Sequence, residues 1–345
     1  SFYYQSWNGP VRRMLVAIAV DPSGNIYLGD SLEGVLFKAD PQGNIVNKFY
    51  HFLWEGDLEC DAQGNVYLAD PHINDDDPLG RNNNVIKFDP QGNILLQFGA
   101  PAYNPPEAAL LFPAGIGLDA QGNIYVADGR DKIKKFDPQA NFLGSFGVRG
   151  SGPGQIDYPR EVELDSSGNL YVLDGTSNRI QKFASNFSYI TQWQTDSSTI
   201  EGISEIEILN SKMYAFGQGM QAFDLNGNPL FIWQAMGHDP REFWNPKRVW
   251  VDNPGNVYVC DTGNNRIQKF DRKWNSDLII GSDGTSTGQF KNPSGVYVDD
   301  EGSIYVADKD NYRVQKFDKK GVFLLQWGSQ GTGNGQFGKL LDVDG

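Results

Sequence analysis

The sequence predicts an all-β chain, a seven-bladed β-propeller of four-stranded antiparallel blades. The first observation is a recurring phrase: a glycine turn, a strand carrying tyrosine, then aspartate. It reads GNIYLGD (24–30), GNVYLAD (64–70), GNIYVAD (122–128), GNLYVLD (168–174), GNVYVCD (255–261) and GSIYVAD (302–308), with a degraded copy, SKMYAFG, at 211–217. The second is the spacing. The aligned tyrosines Tyr27, Tyr67, Tyr125, Tyr171, Tyr214, Tyr258 and Tyr305 stand 40, 58, 46, 43, 44 and 47 residues apart, one supersecondary unit per period. The third is that each period divides into four short apolar-alternating runs separated by turn residues. Seven copies predict seven blades; six is the alternative.

The seventh repeat, 292–328, shows the elements in order: SGVYVD, SIYVAD, RVQKF and VFLLQW. Valine, isoleucine, tyrosine and phenylalanine dominate these runs, as strands prefer. The first break is DxxGN, opening at Asp21, Asp61, Asp119, Asp165 and Asp252. The third break repeats it: DPQGN at 40–44 and 89–93, DLNGN at 224–228, DKKGV at 318–322. Aspartate opening a turn and a left-handed glycine closing it predict tight hairpins. Four strands so joined make one blade, which must stack on neighbours to bury its two faces.

The stretch PxGVxVD…GNIYVAD…NRIQKFD resembles the NHL repeat; NPSGVYVD (292–299), CDTGNNRIQKFD (260–271) and LDGTSNRIQKF (173–183) carry the likeness. The resemblance spans nearly the whole chain. Repeat 5 departs from it, lacking the aspartate, the arginine and the glycine turn. NHL domains are usually six-bladed, whereas seven repeats are counted here. The resemblance implies an interaction domain, and two enzymatic relatives: zinc-dependent amidoglycolate lyases, and calcium-dependent lactonases with Glu, Asn and Asp at the channel mouth.

Residues 1–345 read as one domain, compatible with excision from a longer chain; SFYYQSW (1–7) reads as a fourth strand before repeat 1 and GQFGKLLDVDG (335–345) as a first strand after repeat 7, either of which, but not both, would be needed to close the ring. Formal net charge is −14. That balance does not suit nucleic acid, which needs clustered Lys and Arg. Lys182, Lys269 and Lys316 are read as scattered round the rim on outer strands. No apolar run approaches the ~20 residues of a membrane helix. Cys60 and Cys260 fall in distant blades, so no disulfide is expected, and two cysteines do not decide the compartment. An extracellular, cell-surface or periplasmic setting is the working expectation.

The a–b and c–d hairpins lie on one face of a propeller, the b–c and d–a connections on the other. Every long insertion belongs to the second set, where binding usually resides. The expected partner-binding residues there are Trp54, His72, Asp75, Asp76, Asp77, Tyr103, Tyr158, His238, Arg241 and Trp244. Phe243 reads instead as the apolar residue preceding a first strand, like Phe112 and Phe290. Asp174, Asp261 and Asp308 each precede an arginine by five residues (Arg179, Arg266, Arg313), a recurrence that argues for a structural clamp.

The first strand of each blade is innermost. Alternate residues along it should therefore face the axis. This set includes Asp57, Glu59, Glu161, Glu163, Glu205 and Glu207, with Arg248 the counter-charge and Trp250 and Tyr297 on later blades. Carboxylates so close need cations, water or protons. A Ca²⁺ ion is the sharper expectation; a water-filled channel of solvated carboxylates is the plainer one. Zinc is not favoured, since His51, His72 and His238 all lie outside first strands. No nucleophile elbow or phosphate loop is present. The expected function is a non-catalytic module presenting its loop face to a protein, peptide or glycan. The alternative is a Ca²⁺-dependent lactonase, hydrolase or lyase at the channel mouth.

Overall fold

In the computed structural model the described residues are 15–21, 23–30, 35–40, 45–50, 57–70, 84–99, 107–129, 131–175, 178–195, 203, 205–217, 220–233, 237–252, 254–299, 301–331 and 336. They form seven four-stranded antiparallel sheets, each in simple sequential order. Blade 1 holds β1 (Leu15–Val20), β2 (Ile26–Asp30), β3 (Val35–Ala39) and β4 (Ile45–Tyr50). Blade 2 holds β5 (Leu58–Cys60), β6 (Val66–Asp70), β7 (Asn84–Phe88) and β8 (Ile94–Phe98). Blade 3 holds β9 (Pro113–Leu118), β10 (Ile124–Asp128), β11 (Lys132–Phe136) and β12 (Phe142–Phe146). Blade 4 holds β13 (Pro159–Leu164), β14 (Leu170–Asp174), β15 (Arg179–Phe183) and β16 (Tyr189–Gln194). Blade 5 holds β17 (Glu205–Leu209), β18 (Lys212–Phe216), β19 (Met220–Asp224) and β20 (Pro229–Trp233). Blade 6 holds β21 (Val249–Val251), β22 (Val257–Asp261), β23 (Arg266–Phe270) and β24 (Ser276–Ile280). Blade 7 holds β25 (Pro293–Val298), β26 (Ile304–Asp308), β27 (Arg313–Phe317) and β28 (Phe323–Trp327). Among the described residues, no helix is long and apolar enough to cross a membrane.

The DxxGN turns follow from their side chains. Asp21 Oδ1 accepts the backbone N–H groups of Ser23 and Asn25, both at 2.9 Å, while Oδ2 accepts Asn25 Nδ2 at 2.7 Å. Gly24 closes the turn at φ 77°. The same carboxylate then takes the hydroxyl of the repeat tyrosine: Tyr27 to Asp21 at 3.2 Å, Tyr171 to Asp165 at 3.0 Å, Tyr305 to Asp299 at 3.0 Å. The third-strand lysine lies over that ring, Lys182 on Tyr171 at 5.1 Å and Lys316 on Tyr305 at 4.6 Å. Turn, tyrosine and lysine thus form one clasp in every blade but the fifth, and this corrects the reading of the IQKF lysines. Lys182 is buried, and Lys269 and Lys316 are half-buried against tyrosine, not spread over an outer rim.

The core lies between blades. Tyr27, Leu36 and Phe49 of blade 1 pack on Leu58, Leu68 and Phe88 of blade 2, and comparable clusters join each later pair through to blades 6 and 7. The c–d turn of one blade caps its predecessor. Lys38 Nζ donates to Pro90 O at 3.1 Å, and Lys182 Nζ to Leu225 O at 2.9 Å.

Blade 5 breaks the pattern coherently. Where other blades carry the turn aspartate and the lysine it has Leu209 and Ala222, and its a–b turn is a two-residue hairpin with Asn210 and Ser211 both at positive φ. Tyr214 Oη is buried without a hydrogen-bond partner among the described residues. The space is filled by Trp274, held at φ 65° where the c–d turns of blades 2, 5 and 7 have Gly92, Gly227 and Gly321, with its ring near Tyr214 (6.1 Å) and stacked on Phe231 (5.1 Å). An apolar plug replaces the polar clasp.

Candidate functional site

First strands converge on the axis. Asp57, Glu59, Glu161, Glu163, Glu205, Glu207, Arg248, Trp250 and Tyr297 all line one cavity of about 280 Å³. The pleat sets the carboxylates in two rungs. Asp57, Glu161 and Glu205 lie nearer the loop-bearing face; Glu59, Glu163 and Glu207 lie two residues further in. Each is half-buried.

Blade 3 makes the upper rung continuous by contributing nothing to it. Its axial residues are Gly115 and Gly117, and a Cβ on Gly115 would lie 2.6 Å from Arg160 O and 3.0 Å from Glu161 Oε1. A Cβ on Gly117 would lie 2.5 Å from Val162 O and 2.7 Å from Leu164 Cδ1. The bare backbone lets blades 3 and 4 close together and brings the Glu161 carboxyl group beside Asp57. Asp57 Oδ2 also accepts the N–H of Ile116 at 3.0 Å. Two carboxyl groups so placed raise each other's affinity for a proton. Replacing Gly117 by alanine should cost about 1–3 kcal/mol, as overpacking against backbone does; urea denaturation checks it, and an unchanged midpoint would contradict this packing.

Burial raises the affinity of the whole set for protons. Glu59 is pushed up to about 8, first by burial, then by Asp57 and Glu207. Glu207 also rises to about 8 through burial, partly opposed by Arg248. Glu161 and Glu163 are driven well above the usual carboxylate range, by burial and then by their acidic neighbours. Burial raises Asp57 and Glu205 too, against the pull of Arg248. Arg248 Nη1 pairs directly with Glu205 Oε1. Glu207 Oε2 is buried with no hydrogen-bond partner among the described residues. Among those residues, no three His, Cys, Asp or Glu side chains converge closely enough to hold a metal ion. On the far wall Trp250 and Tyr297 meet edge to face, with ring centroids 4.8 Å apart.

The loop-bearing face is built by the aspartate–arginine clamps. Arg266 Nε donates to Asp261 Oδ2 at 2.6 Å, while its other nitrogens reach the carbonyls of His238, Asp239 and Glu242. Gln268 Nε2 donates to Glu242 O at 2.7 Å. Arg179 and Arg313 tie down the preceding connectors in the same way. The arginine–x–glutamine pair therefore fixes the d–a connector, a role not visible in the sequence because the bonded carbonyls lie about 24–28 residues away.

On the connector so held, Trp244 is 49 % exposed and stacks on His238 with centroids 5.6 Å apart and planes 13° from parallel. Its backbone N–H donates to Asp261 Oδ1 at 2.8 Å. His238 Nδ1 contacts Asn264 Oδ1. Arg241 is exposed at φ 74°. Tyr158 is 46 % exposed at φ 54°, with Arg149 over its ring at 5.4 Å. Asn245 and Asn292 occupy the matching site in later blades, also left-handed, so an aromatic stands where asparagine suits the backbone. Phe243 and Phe290 are buried, but Phe112 is exposed: Leu110 is their counterpart, and the insertion before it hid the register. Trp54, His72, Asp75, Asp76, Asp77 and Tyr103, like both chain ends, lie outside the described residues. Cys60 and Cys260 are not joined by a disulfide.

The NHL repeat family matches residues 243–270 and 290–317, within blades 6 and 7. Comparison with curated proteins by sequence yields no match. Among solved structures, a streptogramin B lyase superposes with a TM-score of 0.64 at 14% identity, covering 85% of this chain and 90% of that one. A virginiamycin B lyase from Staphylococcus aureus gives 0.63 at 15% identity, covering 86% and 92%. Hydrazine synthase of Kuenenia stuttgartiensis gives 0.53 at 14% identity, covering 92% and 80%. At such identities the likeness establishes the fold alone. Seven sequential sheets with convergent first strands make the chain a seven-bladed β-propeller, and its sixth and seventh blades carry matched NHL repeats.

Proposed function

We propose that this propeller is a non-catalytic binding module that presents its d–a and b–c loops to a protein, peptide or glycan. The observation that carries this reading is Trp244. A half-exposed indole stacked on an imidazole, on a connector locked by Asp261 and Arg266, is a rigid aromatic anchor of the kind that dominates interfaces. Tyr158, with Arg149 above it, supports a second contact on the same face. The test is retention on peptide and glycan arrays by the wild type, Trp244→Ala and Tyr158→Ala, all shown to be folded. Trp244→Ala should weaken retention at least tenfold. Absence of any wild-type ligand on both arrays, or equal retention by the variants, would overturn the reading.

The neighbouring Asp57 and Glu161 carboxyl groups, both raised in proton affinity at the channel mouth, support a second reading, a hydrolase or lyase. Lactone and ester hydrolysis with added Ca²⁺ that disappears in Glu161→Gln would replace the scaffold reading with this one.

A further inference from the structure

The central cavity has two chemically distinct sides. Carboxylates from blades 2, 4 and 5 form one; the Trp250 and Tyr297 rings form the other. Arg248 pairs with Glu205 and its charge also reaches Glu207, Asp57 and Glu161, so one guanidinium serves six carboxyl groups. The acids do not converge on a point, as a metal cage requires. They stand in two rungs, two residues apart on each first strand, which places the rungs about 6–7 Å apart along the axis. Glu207 Oε2, buried in the inner rung, has no partner among the described residues, and once the carboxyl is ionised it calls for an N–H donor. Aromatic faces opposite carboxylates attract cations by their quadrupole and cover aliphatic carbon.

We propose that the channel binds a short linear diamine in its doubly protonated form, one ammonium on each carboxylate rung and the methylene chain along Trp250 and Tyr297. The rung separation matches an extended four-carbon diamine. The need for N–H donors excludes quaternary ammonium ions. The site lies on the axis, apart from the Trp244 surface, so it stands or falls independently of the partner-binding reading.

The experiment is calorimetric titration of the whole chain at low ionic strength with putrescine, butylamine, tetramethylammonium and Ca²⁺. Putrescine should bind, butylamine at least tenfold more weakly because it reaches one rung, and tetramethylammonium not at all. Glu207→Gln should weaken putrescine at least tenfold. Glu163→Gln is an independent variant of the same rung, and thermal melts verify that each variant is folded. No putrescine heat with the wild type, tetramethylammonium binding as tightly as putrescine, unchanged affinity in both glutamine variants, or Ca²⁺ binding that displaces putrescine would each overturn the proposal.

Discussion

Replacing Asp261 by alanine should lower stability by about 3–5 kcal/mol, the usual cost of stripping one partner from a buried ion pair. Asp261 is fully buried and accepts from Arg266 Nε at 2.6 Å, Gln268 Nε2 at 2.9 Å, Asn264 Nδ2 at 2.9 Å and the Trp244 N–H at 2.8 Å. Alanine leaves all four donors short of an acceptor, and the guanidinium sits in a site closed to most water. The loss should extend to the surface. Residues 237–246 hang on this carboxylate through Arg266 and Trp244, so the indole of Trp244 loses its fixed place over His238. Urea denaturation measures the first effect and array retention the second. Asp271 provides the contrast: its carboxylate makes a comparable turn, but in an exposed c–d hairpin where water can replace the lost bonds. A loss at Asp261 no larger than at Asp271 would mean that the clamp is not structural.

Much of this was legible because it repeats. Seven tyrosines at one phase locate seven second strands, and DxxGN marks the turns whose carboxylates the structure shows accepting three to four bonds each. The axial acids were readable for a related reason. Every blade begins with the strand nearest the axis, and the two-residue pleat separates the residues that face it from those packed between blades. All six carboxylates and Arg248 accordingly meet in one cavity. What escaped reading depends on neighbours distant in sequence. Lys182 turns inward because Leu225 O, in the next blade, accepts from it. Trp274 fills blade 5 from blade 6, an exchange that no single repeat displays. The connector carbonyls bound by Arg179, Arg266 and Arg313 lie in the most variable segments, so the pairing of arginine with its loop leaves no fixed spacing motif. Trp250 and Tyr297 were placed at the axis by the same alternation, but their meaning as a wall appears only when the acids are seen opposite them.

Stability should fall as pH rises from about 5 to about 8, opposite to the usual behaviour of a protein rich in paired carboxylates. Glu59 and Glu207 reach about 8 in the folded chain, against about 4.3 when exposed. The native state therefore holds protons that the unfolded chain has already released, and linkage makes each further rise in pH favour unfolding until these groups are ionised in both states. Each tenfold gain in proton affinity on folding is worth about 1.4 kcal/mol; after a large allowance for channel water, the two groups together account for on the order of 2–4 kcal/mol. The turn aspartates act in the other direction. Burial opposes them, but hydrogen bonds within the turn, joined by Lys87 at Asp61, Lys135 at Asp119 and Tyr171 at Asp165, hold these three carboxyl groups low, so their contribution is present above about 4 and lost as pH falls further. The two sets leave a stability maximum in mildly acid solution. Urea melts from pH 4 to 9 test this, since urea, unlike guanidinium, does not screen charge. The double variant Glu59→Gln, Glu207→Gln should make the alkaline limb shallower, with Glu161 and Glu163 supplying what remains, while leaving the acid limb in place. A wild-type profile that is level or rising between pH 5 and 8, or an alkaline limb unchanged in the double variant, would show that these carboxylates ionise freely and that the channel is open to bulk water.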